Sequence, residues 1–329
     1  MKVFFYPFSA NRESSNPFGF NFVSSLAEQG VDVVNYKKQI TRYSVFDMFL
    51  MKSDAYILNW IEDLPNRKFG NLLAIMFLSF FFIQRLRGKK FVWVFHNIES
   101  HYKENALSRR IKKSLINHAY FFITLSGKGR AILSQKTKKN IIFLNHPINS
   151  DLLSIEAKPS KKSYDVLIWG SIIRYKGILE FLQYLHDKGM SERFRVLVVG
   201  GCKDVSYFEE LSKLTSSTIE IEKRMADFAE VKGLIQQSKF VLFPYIGNSV
   251  SSSGALIDTI TMGGNSVGPC VGAFEDLQKE GVCFTYQNYE ELIQIISSDK
   301  HIKSDKIKTF NDNNTWEQFA SVVKNELVK

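Results

Sequence analysis

Short runs of β-branched and aromatic residues alternate with longer amphipathic stretches along most of this chain, and Gly, Asn or Pro marks many of the joins. KVFFYPF (2–8), VDVVNY (31–36), DAYILNW (54–60), FVWVFHN (91–97), YFFITLS (120–126) and NIIFLNHPIN (140–149) read as strands. Helices are predicted between them over roughly 18–29, over 69–87 and over 103–113. A polar, Pro-containing stretch follows at 150–163, and the pattern then restarts. Strands at 164–171, 194–201, 218–224, 240–244 and 282–286 alternate with helices at 177–189, 204–214, 227–238 and 289–298. Short strands alternating with helices build βαβ units and a parallel sheet. Two such series predict an α/β chain of two doubly wound, Rossmann-like parallel-sheet domains whose strand ends face a cleft. The expected divisions are 1–150, a linker over 151–163, 164–313 and a terminal helix over 314–329.

The helix at 69–87 is the least ordinary. From 72 to 83 only Ser79 is polar, yet the run is shorter than the roughly 20 residues that span a bilayer. Two readings stand: a buried helix that covers the sheet, or one that also lays a face on a membrane surface. Arg85, Arg87, Lys89 and Lys90 follow it directly, which suits the second.

Charge sharpens the contrast between the halves. Residues 1–150 hold 22 Lys and Arg against 9 Asp and Glu, a balance of +13, whereas the rest of the chain stands at −3. A basic half suits nucleic acid, an anionic membrane or a phosphorylated substrate. No nucleic-acid recognition motif accompanies it, so nucleic acid is not expected as a partner. The three cysteines (Cys202, Cys270, Cys283) lack metal-ligand spacing and do not form a disulfide framework. No long apolar leader opens the chain, so a cytoplasmic location is expected.

The segment KFVLFPYIGNSVSSSGALIDTITMGG (239–264) organises the second half as strand, small-residue loop and short helix. Free amides and the helix dipole at such a junction offer a seat for phosphate. Ser252, Ser253 and Gly254 supply the amides, and Asp258 lies about one helical turn further on, where its carboxylate can hold a ribose. The alternative is an ordinary strand-loop-helix of an α/β sheet. GSIIRYKG (170–177) adds Arg174 and Lys176, two cations that could neutralise a diphosphate leaving group. KRMADF (223–228) is another strand end, suited to a base lying against backbone. In the first half, Asn59, Glu62, His96, Asn97, Glu99 and His101 mass polar groups at two strand ends, suited to hydroxyl recognition and proton transfer.

These motifs resemble those of GT-B glycosyltransferases, in particular the bacterial branch that assembles capsular and exopolysaccharides. YPF…NPFGF (6–20) is similar to that family's opening strand and Asn-Pro-aromatic turn, and NWIE (59–62) to its His-Trp-Pro-Glu. HNIESH (96–101), GSIIRYKG (170–177), PYIGNSVSSSG (244–254) and the Trp316–Glu317 helix follow in the same order. Of two glutamates that retaining relatives carry eight positions apart, the second falls on Asp258 and the first on Val250.

The resemblance implies transfer of a hexosyl unit from a nucleotide diphosphate sugar, UDP- or GDP-linked, with no metal and no further cofactor. Arg174, Lys176, Ser252, Ser253, Gly254 and Asp258 would bind the donor. Asn16, Asn59, Glu62, Asn97 and Glu99 would bind the acceptor, a glycolipid or oligosaccharide, polyprenyl-diphosphate-linked in surface polysaccharide synthesis. His101 and His96 are the catalytic candidates, and the terminal helix would cross back onto the first domain. The enzyme would sit peripherally on the inner face of an anionic membrane. With Val250 at the first carboxylate position, a non-catalytic sugar-nucleotide-binding subunit that supports a partner transferase is the alternative.

Overall fold

The computed structural model describes residues 1–8, 17–36, 45–96, 105–158, 163–247 and 253–329. The chain forms two compact units, one of residues 1–145 with 316–329 and one of residues 146–315.

The first unit contains β1 (Lys2–Tyr6), α1 (Pro17–Glu28), β2 (Asp32–Val33), α2 (Val45–Leu50), β3 (Ala55–Asn59), α3 (Gly70–Leu86), β4 (Lys90–Phe95), α4 (Ala106–His118), β5 (Phe121–Thr124), α5 (Gly127–Lys136) and β6 (Ile141–Phe143). Its six strands are all parallel, in the order β2-β1-β3-β4-β5-β6. The inner strands FFY, AYILN, FVWVF and FFIT are buried on both faces, as a sheet with helices on each side requires. The first unit is completed from far along the sequence by α14 (Trp316–Val328), whose Phe319, Ala320, Val323 and Leu327 are buried in its core. Phe319 meets Phe22 of α1 edge-on at 4.9 Å, and Lys324 Nζ donates to Gln29 O at 2.7 Å.

The second unit contains α6 (Asp151–Ser154), β7 (Tyr164–Trp169), α7 (Ile178–Asp187), β8 (Val196–Val199), α8 (Val205–Ser212), β9 (Ile219–Glu222), α9 (Phe228–Gln236), β10 (Ser238–Leu242), α10 (Gly254–Thr261), β11 (Ser266–Pro269), α11 (Ala273–Glu280), β12 (Phe284–Tyr286), α12 (Tyr289–Ile296) and α13 (Ser304–Asn313). Its parallel order is β12-β11-β10-β7-β8-β9, which places β7 and β10 side by side at the centre. One face packs Val166, Ile168, Phe181, Val196, Val198 and Leu292 into a core, and the other packs Leu167, Leu197, Val241, Leu256 and Ile260.

The expected linker is part of the second unit. Ile148 and Leu152 are fully buried there, and DLLS forms one amphipathic turn, α6, with Leu152 inward. The first boundary therefore falls at 145/146, and the return at 315/316. The strands expected over 31–36 and 140–149 shrink to two and three residues at the sheet's two edges. Among the described residues, six short helices and strands escaped the sequence pattern: α2, α5, α6, β11, α11 and α13.

Candidate active site

The second unit gathers its loops where β7, β8 and β10 end. Two glycines allow this: a Cβ on Gly200 would stand 1.7 Å from Gly170 O, and one on Gly177 would stand 2.0 Å from Pro244 O. Gly177 also has φ +67°, a left-handed conformation that Gly adopts at no steric cost. Immediately before Gly177, Arg174–Lys176 form a single 3₁₀ turn, and Ile246 N–H donates to Tyr175 O at 3.1 Å. The loop after β7 is thereby clamped to the segment after β10.

That clamp turns Lys176 inward, where only 8% of the residue is exposed. Its Nζ would lie 3.4 Å from a Cβ on Gly170, which in turn would lie 3.8 Å from Ala255 Cβ near the start of α10. The same ammonium sits 5.8 Å from the Tyr245 ring centroid. Tyr245 Oη and Ser253 Oγ are 2.9 Å apart, and Ser253 caps α10 by accepting from Leu256 N–H at 3.4 Å. Trp169 Nε1 donates to Thr259 Oγ1 at 2.8 Å, and that hydroxyl donates to Ala255 O, which ties α10 to the end of β7. Lys176, Ser253 and Gly254 thus converge on one helix N-terminus, with Asp258 one turn behind it.

Burial pushes the Lys176 ammonium down to about 8 and the Asp258 carboxyl up to about 7. Neither shift is offset by a neighbouring charge, and neither side chain has a hydrogen-bond or ion-pair partner among the described residues. A buried charge without a partner is costly. A buried lysine and a half-buried carboxyl around one helix end form a site prepared for a polar, charged ligand.

Arg174, expected to act with Lys176 on the donor, lies against α8. Its guanidinium is forked onto Glu210 at 2.7 and 3.0 Å, reaches Asp204 at 3.4 Å and stacks over Tyr207 at 4.7 Å. Those carboxylates raise its pKa further, and it braces the loop on α8 instead of joining Lys176. At 223–228, Arg224 is paired with Glu222 and Glu230, while Asp227 caps α9 by accepting from Glu230 N–H at 2.9 Å. Met225 is left 77% exposed beside Gly201. Ser252 lies outside the described residues.

In the first unit, the chain leaves β3 through Trp60, which takes a left-handed φ of 47°. That turn stacks the Trp60 indole on the His96 ring, with centroids 4.4 Å apart and planes at 17°. Phe18 meets His96 edge-on at 4.9 Å. Asn59 Oδ1 lies 2.9 Å from His96 Nε2, and its Nδ2 donates to Tyr6 O at 3.3 Å. Both ends of this fully buried amide are therefore used internally, so Asn59 orients His96 instead of reaching a ligand. Glu62 is also buried, accepts from Trp93 Nε1 at 3.1 Å and is pushed by burial up to about 7. The structure thus places Glu62, expected to contact the acceptor, inside the first unit against Trp93. Asn16, Asn97, Glu99 and His101 lie outside the described residues.

Sequence reasoning missed Tyr245, Trp169, Thr259 and Trp60. Tyr245 was open to detection, as the residue after the strand-ending Pro in PY…SSG. Trp169 and Thr259 are 90 positions apart and carried no local signal. Among the described residues, no group of three His, Cys, Asp or Glu could hold a metal ion. None of the described helices is long and apolar enough to cross a membrane.

No protein-family model matches the chain, and no curated protein matches it in sequence. Solved structures do match it in fold. One, described as trehalose-6-phosphate from E. coli bound with UDP-2-fluoro glucose, superposes with a TM-score of 0.69 at 9% identity, over 99% of this chain and 98% of that one. AviGT4, a glycosyltransferase involved in avilamycin A biosynthesis, gives 0.57 at 12%, over 99% and 96%. Sucrose-phosphate synthase from Thermosynechococcus elongatus gives 0.58 at 13%, over 85% and 75%. At these identities the likeness is one of fold. Two six-stranded parallel sheets with flanking helices have the GT-B architecture that these glycosyltransferases share.

Proposed function

We propose that this chain is a glycosyltransferase that moves a hexosyl unit from a nucleotide diphosphate sugar to a membrane-associated glycan acceptor, polyprenyl-diphosphate-linked in surface polysaccharide synthesis. One observation carries the donor half of this reading. Lys176 is buried and Asp258 half-buried, and both lack a protein counter-charge among the described residues and flank the N-terminus of α10. A diphosphate would meet the Lys176 ammonium and the free amides at Ser253 and Gly254, while the Asp258 carboxylate would accept from ribose hydroxyls. As the sugar leaves, negative charge grows on the diphosphate, and Lys176 stands where that charge develops. No metal is needed for this step. Arg174 acts from behind by fixing the loop, and Asn59 and Trp60 fix the ring of His96 at the strand ends of the first unit.

The non-catalytic alternative is favoured by the burial of His96, which is 5% exposed, because a catalytic base needs access to its substrate. Both readings predict donor binding. Thermal shift against UDP-, GDP- and CMP-sugars tests it, and a bound nucleotide raises the melting temperature by mass action. Absence of a shift with every sugar nucleotide would remove both readings. Release of free nucleotide from the bound donor in the presence of a lipid-linked acceptor separates them in favour of the enzyme.

A further inference from the structure

The helix at 70–86 is only half used by its own unit. Ala74, Phe77, Leu78 and Phe81 are buried, whereas Leu72, Ile75, Phe82, Ile83 and Leu86 are exposed, Leu86 by 86%. Positions 72, 75, 79, 82 and 86 recur at alternating steps of three and four, so they share one outward face. Apolar residues scattered singly on a surface are ordinary, but a helical stripe of them interrupted by Ser79 alone is not.

Beside this stripe lies a groove of about 470 Å³, lined by Phe82 of α3 and by Arg109, Arg110, Lys113, Ser114, Asn117 and His118 of α4. Arg109, Arg110 and Lys113 are exposed and have no carboxylate partner among the described residues. Neither α3 (GNLLAIMFLSFFFIQRL) nor α4 (ALSRRIKKSLINH) contains a single Asp or Glu. The local positive potential is felt by His118, whose pKa is lowered by burial and then by Arg85 and Lys139. The cations that immediately follow α3 in sequence are partly spent elsewhere. Lys89 pairs with Asp54 at 3.0 Å, and Lys90 donates to Leu327 O at 2.8 Å.

We infer that the exposed face of α3 and the cationic groove of α4 together form a docking surface for an anionic phospholipid membrane. The stripe enters the boundary between head groups and acyl chains, while Arg109, Arg110 and Lys113 meet lipid phosphates from the groove. The absence of any acid on both helices is what selects a membrane over a second protein, whose surface would carry charges of both signs. This surface deepens the membrane-associated acceptor of the proposed function, and rests on it only for its purpose.

The test is co-sedimentation of the full chain with vesicles of phosphatidylcholine alone and of phosphatidylcholine with 30 mol% phosphatidylglycerol, about the anionic content that gives a leaflet its surface potential. Binding to the anionic vesicles only, weakening as salt is raised, is the expected result. R109Q/R110Q/K113Q should lower the partition coefficient on the order of fivefold per charge removed, about a hundredfold in all. L72Q/I75Q/L86Q, at exposed positions that leave the core intact, should abolish binding at any salt. Sugar-nucleotide thermal shift on the same variants reads the donor site separately and should be unchanged. Failure of the parent chain to bind anionic vesicles, or equal binding by all three proteins, would overturn the proposal. A dimer in gel filtration that L72Q/I75Q/L86Q dissociates would also overturn it, by assigning the stripe to a second copy. Absence of donor binding with intact vesicle binding would instead sink the transferase reading alone.

Discussion

Replacing Lys176 by Met should make the ligand-free protein more stable and the donor-bound state unreachable. Burial lowers the Lys176 pKa from 10.5 to about 8. Every tenfold weakening of proton binding corresponds to about 1.4 kcal/mol, so holding this ammonium without a partner costs about 3 kcal/mol at neutral pH. Because the folded-state value lies below the unfolded one, the cost is complete below pH 8 and fades as the pH rises toward 10.5. Met keeps the length of the side chain and removes the charge. For a chain of this size, K176M should raise the melting temperature at pH 7 by about 2–4 °C per kcal/mol recovered, with the gain closing toward pH 10. The same variant should lose its thermal response to sugar nucleotides. In the parent, a diphosphate would favour the charged ammonium, so donor affinity should hold below pH 8 and fall up to about tenfold per pH unit above it. Differential scanning fluorimetry and calorimetric titration across pH 7 to 10 read both effects. A less stable K176M, or an unaltered nucleotide affinity, would refute the reasoning.

Glu62 is pushed from 4.5 to about 7 by burial, so the folded form holds its proton more tightly and the first unit should lose stability as the pH rises from 4.5 through 7. E62Q can still accept from Trp93 Nε1 and should flatten that dependence in urea titrations; an unchanged pH profile would refute the assignment. N59A removes the two bonds that the fully buried Asn59 amide makes, to Tyr6 O and to His96, and should cost about 1–3 kcal/mol by chemical denaturation. A cost below 0.5 kcal/mol, about the scatter of neutral surface changes, would mean the Asn59 bonds do little. G200A places a methyl against Gly170 O and should force β7 and β8 apart, abolishing sugar-nucleotide binding more completely than it lowers the melting temperature. Retained binding would show that the two loops can yield.

Most of the architecture was legible because buried parallel strands announce themselves: KVFFY, AYILN, FVWVF and YDVLIW are runs that only a sheet covered on both faces can hide. The elements missed carry weaker marks. β11 is SVGP, two of whose four residues are Gly and Pro, and α5, GKGRAILSQK, buries little beyond Gly129 and Leu133. At the site, the helix that starts at Gly254 and the loop that carries Lys176 could be read from spacing. Arg174 could not, because its fate depends on Glu210, 36 residues away on α8. Asn59 was placed correctly at a strand end, yet sequence alone cannot say which way an amide there is spent.

The first unit is assembled from two distant pieces of chain. Trp316 contacts Phe18 at 5.2 Å, and Phe18 in turn contacts His96, so α14 stands one ring away from the candidate catalytic histidine. During synthesis, residues 1–145 must wait with the apolar flank of α1 uncovered while the whole second unit is made. Only once translation has passed residue 328 can the last helix settle there. A fragment cut at residue 145 would keep that flank bare, and grafting 316–329 onto it through a flexible tether is the shortest route to a free-standing first unit.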